Sequence, residues 1–429
     1  MLVPGGYFDL AKSISWLVAV GGAGMARQQS SRRSTSPNQP AATSSSSGPV
    51  ITIHAGIAKK ELFTKTLSRE MPLTHLARKW PYILRVRSRW VGDAGQRDAF
   101  GAQALVDLGH IGLGRDDIQH LVTADRVEIE LHDWNDADAY ASIHETAAEI
   151  PWEYLISAAT RAQGRFESLL ISRLFRNGTP HVTPAPPRNM LFVESEPGRL
   201  KGQYDFGDEE TRIRAAVGAT GKRNQDMEIV RTPEISALRS KLQNENWEAI
   251  HVTGFDTHQA AWTVEGFYDV FEKSGIWNGT SKSSQTLQDG MILRKSGESE
   301  WPVFYDELAK VLAAPKPPRI VTLNLYHSGA RTARELVRKG AHVSLGFLDE
   351  IDDELAELFF QSFYWAWCRP ERKTLSIPEA FLSAWNGMSD IPGLHGTSIV
   401  IWLGRSIFDT STSRNRRPRA VVAKKRATK

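Results

Sequence analysis

From residue 189 onward the chain alternates between two patterns. Short runs that are apolar throughout are NMLFVESEP (189–197), MEIVRTP (227–233), WEAIHVTGF (247–255), PRIVTLNLYHS (318–328), AHVSLGFLD (341–349) and TSIVIWLG (397–404). Between them lie amphipathic stretches: DEETRIRAAVGA, EISALRSKLQNEN, PVFYDELAKVLAA, TARELVRKG, DELAELFFQSFYWAWC and IPEAFLSAWNGM. The first set predicts strands buried on both faces and the second predicts helices. Such an alternation builds an α/β domain, a mostly parallel central sheet with helices on both faces.

Residues 50–187 read differently. LVDLGHIGLGRDDIQHLV is helical with a glycine-rich interruption, RVEIELHDW alternates as a strand, and SLLISRLFR is a further short strand. PAPPRN (184–189) is a stiff breaker that marks a boundary. Residues 27–49 are rich in Ser, Pro and Gln without an aromatic, so they lack the apolar surface to fold. The expected organisation is a disordered leader (1–49), an N-terminal α+β extension packing on the core (50–187), the α/β core (188–408) and a basic disordered tail (409–429). Ser13–Ala26 has a weak signal-like core with a poor positive flank, and Met25 is an alternative start to Met1.

The net charge of +4 is unevenly spread. Residues 413–429 hold eight Lys or Arg and no acid, so the body is acidic and the tail basic. The tail could touch nucleic acid or an anionic surface. Cys368 is the one cysteine, in an apolar helix-like run. It excludes a disulfide framework and thiolate zinc sites, and it fits a reducing, cytoplasmic compartment. No stretch is long and apolar enough to span a membrane. Nucleotide signatures fail: the glycines at 109, 112 and 114 lack dinucleotide spacing, and Gly218 and Gly221 are too close for a phosphate loop. No cofactor and no metal are expected.

Five segments in order resemble one family. IPWEYLI (150–156) is similar to an "lPWE-L" element, and NMLFVESEP to a first core strand. AIHVTGFDTHQ (249–259) is similar to "HFAGHG", and VTLNLYHSGA (321–330) to "LSAC-x-S/T-G". RKGAHVSLGFLDEIDD (338–353) is similar to "GA--V-GSLW-V-D". This is the pattern of the CHAT domain, a caspase-like (clan CD) cysteine peptidase fold, and it implies a caspase-like sheet over roughly 140–405.

The resemblance implies a thiolate nucleophile and a histidine acid–base partner at neighbouring strand ends. His251 is similar to the family's first, strand-borne histidine, and its ring nitrogens are expected to bond to backbone. The catalytic histidine's place, after Gly254, holds Phe255, and the cysteine's place holds Tyr326. A phenyl ring takes no proton, and a phenol with pKa near ~10 is a poor nucleophile at neutral pH. Low-grade substitutes are His251, His258 and Ser328, the last two as a serine dyad. Ser328 also matches a turn residue of the family. The acidic run Asp349, Glu350, Asp352, Asp353 and Glu354 either walls a pocket or caps a helix. Trp152 and Glu153 are expected to lock the N-terminal layer onto the core.

The expectation is therefore a pseudo-peptidase, not an enzyme, that binds or signals through a protein or peptide held in the former substrate cleft. That cleft comprises Gly254, Phe255, Asp256, Tyr326, His327, Ser328, Asp349 and Asp352, with Phe255 and Tyr326 giving it an aromatic floor. The alternative is an active peptidase with displaced residues.

Overall fold

A computed structural model describes residues 51–67, 73–86, 94–131, 147–180, 185–218, 226–274, 288–313, 316–368, 375–388 and 398–409. The leader expected at 1–49, the signal-like stretch within it and the basic tail beyond Asp409 lie outside the described residues.

The strands are β1 (Ile51–Ile57), β2 (Lys60–Thr66), β3 (Arg126–Leu131), β4 (Leu170–Leu174), β5 (Asn189–Ser195), β6 (Asp226–Arg231), β7 (Ala249–Gly254), β8 (Gly290–Lys295), β9 (Glu298–Phe304), β10 (Ile320–Asn324), β11 (Val343–Phe347) and β12 (Ile399–Leu403). The helices are α1 (Leu73–Val86), α2 (Ala94–His110), α3 (Arg115–Thr123), α4 (Trp152–Ala162), α5 (Phe206–Gly218), α6 (Ile235–Asn244), α7 (Thr257–Thr263), α8 (Tyr268–Lys273), α9 (Tyr305–Leu312), α10 (Thr332–Arg338), α11 (Asp353–Cys368) and α12 (Ile377–Gly387).

Among the described residues, ten strands form one sheet in the order β2-β1-β3-β4-β12-β11-β10-β7-β5-β6. The block from β11 to β6 is parallel, and β12 runs antiparallel to β11 but parallel to β4. The N-terminal extension therefore continues the core sheet through β3 and β4 and does not form a separate layer. The described residues, 51–409, fall within one compact unit.

Alternation along each strand sends successive side chains to opposite faces. On β7, Ile250 and Val252 face a core with α4, α6, α9 and α10, while Ala249 faces a second core with α5, α11 and α12. This double cover is why the inner core strands are apolar throughout, whereas the edge strand β6 is half-buried or exposed along its length, against the expectation of burial on both faces. The second core is aromatic, built on Phe359, Phe360, Phe363, Tyr364 and Trp367 of α11. Cys368 is buried there, and burial pushes its thiol up to about 12, so it is an inert packing residue.

One expected helix is shorter than the pattern predicts. Pro302–Phe304 end β9, and the helix begins at Tyr305. β8 and β9 form a separate two-stranded hairpin, turned at Ser296–Gly297, where Gly297 has φ +82°. In this two-stranded ladder Pro302 sits where no second neighbour needs its missing N–H.

The expected lock of Trp152 and Glu153 is present. Trp152 Nε1 donates to the Ala147 carbonyl at 2.9 Å. Arg173 of β4 grips Glu153 through Nε and an Nη at 2.8 and 2.7 Å, and both side chains are fully buried. The same guanidinium donates to the carbonyls of Ala148 and Ile150 and lies over Trp402 of β12.

Candidate functional site

β7 and β10 are parallel neighbours, with Asn324 opposite Thr253. Their carboxyl ends therefore place the turn at Gly254 beside the turn at Tyr326, where open α/β sheets put their sites. Gly254 has φ +147°, and a Cβ there would stand 2.5 Å from the Ser195 carbonyl oxygen, so only glycine fits the turn.

Phe255 points into a satellite core with Leu200, Phe267, Phe271 and Ile292 and is 0% exposed. Its ring meets Tyr204 edge-on at 5.3 Å and Phe206 at 6.0 Å. Tyr326 is 9% exposed, and its hydroxyl donates to Asp353 at 2.6 Å. Burial first, then the Asp353 carboxylate, holds this phenol well above its ordinary pKa. Phe255 and Tyr326 are thus folded into the protein. They do not present the aromatic floor that the sequence suggested.

His327 adopts φ +53°, a left-handed conformation uncommon outside glycine. The turn brings its Nδ1 to Asp256 at 3.0 Å and its Nε2 within 3.7 Å of Asp349. Burial works to lower the pKa of His327, but the hydrogen bonds to Asp256 and Asp349 outweigh it and hold it up to about 10. Asp256 also caps α7 by accepting from the Gln259 amide. His258 stands 4.4 Å from the His327 ring and pairs with Asp289 at 3.0 Å. Ser328 donates its hydroxyl to the Leu325 carbonyl at 2.7 Å and accepts from the Phe347 amide. The hydroxyl proton is committed to a turn, and His258 is committed to a carboxylate, so the structure does not bring Ser328 and His258 together as a dyad.

His251 is fully buried, stacked on Phe192 and meeting Phe360 edge-on. Its partners are side chains, not the backbone expected from sequence. Nε2 faces Glu209 at 2.9 Å and Nδ1 meets the Thr322 hydroxyl at 2.7 Å. Asn324 donates to the same Glu209 oxygen at 2.8 Å, and Thr322 continues to the Tyr364 hydroxyl at 2.6 Å. The reason is register. Thr322 lies directly across the ladder from His251, and α5 lays Glu209 over both. The second Glu209 oxygen is buried without a hydrogen-bond partner.

Asp352 caps the first turn of α11 by accepting from the Leu355 amide, and Asp353 holds Tyr326. The acidic run therefore serves as helix cap and cleft wall together. Glu357, one turn on, is pushed up to about 7, by burial first and then by Glu209, although Arg212 lies 3.1 Å away. Among the described residues, one group could offer ligand atoms to a metal: His327, Asp349 and Glu350, within 4.8 Å of one another. A doubly protonated His327 ring has no lone pair for an ion, so proton and metal would compete there.

A cavity of about 560 Å³, missed in the sequence, opens at the carboxyl ends of β5 and β6. Its walls include Glu194, Glu196, Tyr204, Asp205, Phe206 and Arg231. Tyr204 and Phe206 connect it to Phe255. The available signal was two acids, Glu194 and Glu196, closing an otherwise apolar strand at the end of the sheet where ligands bind.

A parallel core sheet that places the histidine-bearing strand β7 beside the turn after β10 defines an α/β class with its candidate site at the carboxyl ends of those strands. The CHAT domain family model matches residues 151–416, and the chain belongs to that family. The match starts at the IPWE segment and so takes in α4 and β4 as well as the core. No curated protein matches the chain. Among solved structures, a crystal structure of the Saccharomyces cerevisiae separase-securin complex at 2.6 Å shows 13% identity over 59% of this chain, with a TM-score of 0.33. A second, at 3.0 Å, shows 14% identity over 60% of the chain with the same TM-score. The likeness spans 15% of each of those chains.

Proposed function

We propose that this chain is a catalytically silent CHAT module that holds a polypeptide partner in the cleft at the carboxyl ends of β5, β7 and β10. One observation carries the reading: the two positions that should bear thiolate and imidazole hold a phenol bound to Asp353 and a phenyl ring sealed in an apolar cluster. Neither can start acyl transfer. The alternative, a displaced Ser328 nucleophile, has its hydroxyl proton donated to the Leu325 carbonyl, which weighs against it. By analogy with the family's association with bacterial defence and regulated cell death, the setting would be such a pathway. The single buried thiol fits a reducing cytoplasm, and no helix among the described residues is long and apolar enough to cross a membrane. The tail 413–429 would add a salt-dependent contact to nucleic acid or an anionic surface.

The test has two arms. A proteome-derived peptide library incubated with the protein should return uncut by mass spectrometry. A photo-crosslinking residue placed at the exposed Asp352 should capture a partner that the same residue at Leu62, on β2, does not. Cleavage of the library, or equal capture at both positions, would overturn the proposal.

A further inference from the structure

The cavity beyond β5 and β6 has an unbalanced charge. Glu194, next to the last residue of β5, has its side chain 7% exposed, and Arg231 faces it at 3.5 Å, longer than a good hydrogen bond. Arg231 is shared, since its terminal nitrogen hydrogen-bonds Glu210. Glu196 and Asp205 complete the wall, so three carboxylates line the cavity beside one guanidinium, while Glu210 lies outside it and is also held by Arg214. Burial raises the pKa of Glu194, Arg231 pulls it down, and Glu196, Glu210 and Asp205 push it up again. The other wall is flat. Tyr204 and Phe206 lie 6.2 Å apart with their planes inclined by 30°, both braced on the buried Phe255.

These features select a ligand class. Excess negative charge calls for a cation. A buried carboxylate with an incompletely used pair of oxygens suits a fork of N–H donors, and ring faces suit a planar, weakly hydrated cation better than an ammonium. The volume of about 560 Å³ admits a long side chain together with some of its main chain.

We propose that this cavity seats the guanidinium of an arginine side chain in a bound polypeptide, with Glu194 receiving the head and Tyr204 and Phe206 its flat faces. The inference rests on the reading of the cleft as a partner site and adds the chemistry of that partner.

Calorimetric titration of the full chain with acetyl-Gly-Gly-Arg-Gly-Gly-amide tests it, beside lysine, citrulline and leucine counterparts. The arginine peptide should bind about tenfold more tightly than the citrulline one, a step of ~1.4 kcal/mol. Glu194→Gln should weaken the arginine peptide about tenfold and leave the leucine peptide unchanged. Arg231→Ala removes a competing cation at a half-exposed position and should tighten binding about threefold, which a merely structural role would not produce. Equal affinity for arginine and citrulline, or an unaffected Glu194→Gln variant, overturns the inference. Preference for the leucine peptide overturns it while leaving the cleft reading intact. If no peptide binds but crosslinking at Asp352 succeeds, this inference alone falls, and if crosslinking is also silent, both fall.

Discussion

At the amino end of the parallel core strands, where β3, β4 and β12 finish, Glu128 and Glu130 lie buried beside His54, Arg176 and Ser406. At the carboxyl end, Glu194, Glu209, Asp353 and Glu357 lie beside Arg231, Arg212 and Tyr326. The first group is closed. Glu130 accepts from Arg176 at 2.7 and 3.2 Å and faces His54 at 2.9 Å, and Glu128 accepts from the Ser406 hydroxyl and the Ile407 amide. The second group is open. Its carboxylates outnumber its cations, one Glu209 oxygen has no partner, and repulsion from Glu209 helps hold Glu357 high. Buried charge that is fully paired is architecture, whereas buried charge that lacks partners marks where a ligand's charge would be welcome.

The largest effect should come from breaking the closed side. Glu153→Ala leaves the Arg173 guanidinium buried without its carboxylate, so unfolding free energy should fall by about 3–5 kcal/mol. Urea denaturation measures it, and a loss under about 1 kcal/mol would mean that the closed flank relaxes easily.

A second test uses pH. Burial dominates at Glu128 and lifts it from the ordinary 4.5 to about 7, with Ser406 and Ile407 opposing. A carboxyl group raised in the fold favours folding while protonated, so its contribution is full below the unfolded pKa and is lost as pH rises through about 7. Glu128→Gln, which stays neutral, should match the parent protein near pH ~4 and exceed it by about 3 kcal/mol near pH ~8. Coincident curves at both pH values would show that the donors there already neutralise the burial cost.

His327 at the open end is held between two carboxylates, Asp256 and Asp349, and it should behave in the opposite sense to a lowered acid. Its pKa is raised to about 10, so its stabilisation is full below ~6.5 and disappears as pH climbs through about 10. His327→Gln should cost on the order of 2 kcal/mol near neutrality and nearly nothing above pH ~10.5. A cost that does not change with pH would assign His327 to turn geometry alone.

How much of this was legible in the chain depends on the range of the interaction. Each core strand from NMLFVESEP to TSIVIWLG stands where its apolar run predicts, and except in the edge strand β6, whose residues are half-buried or exposed, cover on both faces prints burial into the strand's own residues. Five ordered segments were enough to identify the family. The hairpin of β8 and β9 escaped because its strands mix polar and apolar positions, with only Ser296–Gly297 as a signal. The partners of His251 escaped for another reason. Glu209 and Thr322 are 42 and 71 residues away, and strand order, not periodicity, brings them together. The cavity is likewise a product of topology, since its walls come from β5, β6 and the loop before α5.

The smallest effect sharpens the contrast most. Glu357 sits at the rim of the open end with its side chain 16% exposed and Arg212 as partner. Removing the charge loses that bridge, worth roughly 0–1 kcal/mol near a surface, but it also removes repulsion from Glu209 and the burial cost that lifts Glu357 to about 7. A group raised in this way loses its contribution as pH rises, so the sign favours the neutral variant above pH ~7. After allowing for water at the rim, Glu357→Gln should gain about 1 kcal/mol near pH ~8 and nothing near pH ~4.5. The matched change at the closed end, Glu130→Gln, should instead destabilise at both pH values, because it strips acceptors from Arg176 and His54. If Glu357→Gln also destabilises near pH ~8, the carboxylates of the open end are already balanced, and their charge gives no reason to expect a cationic partner there.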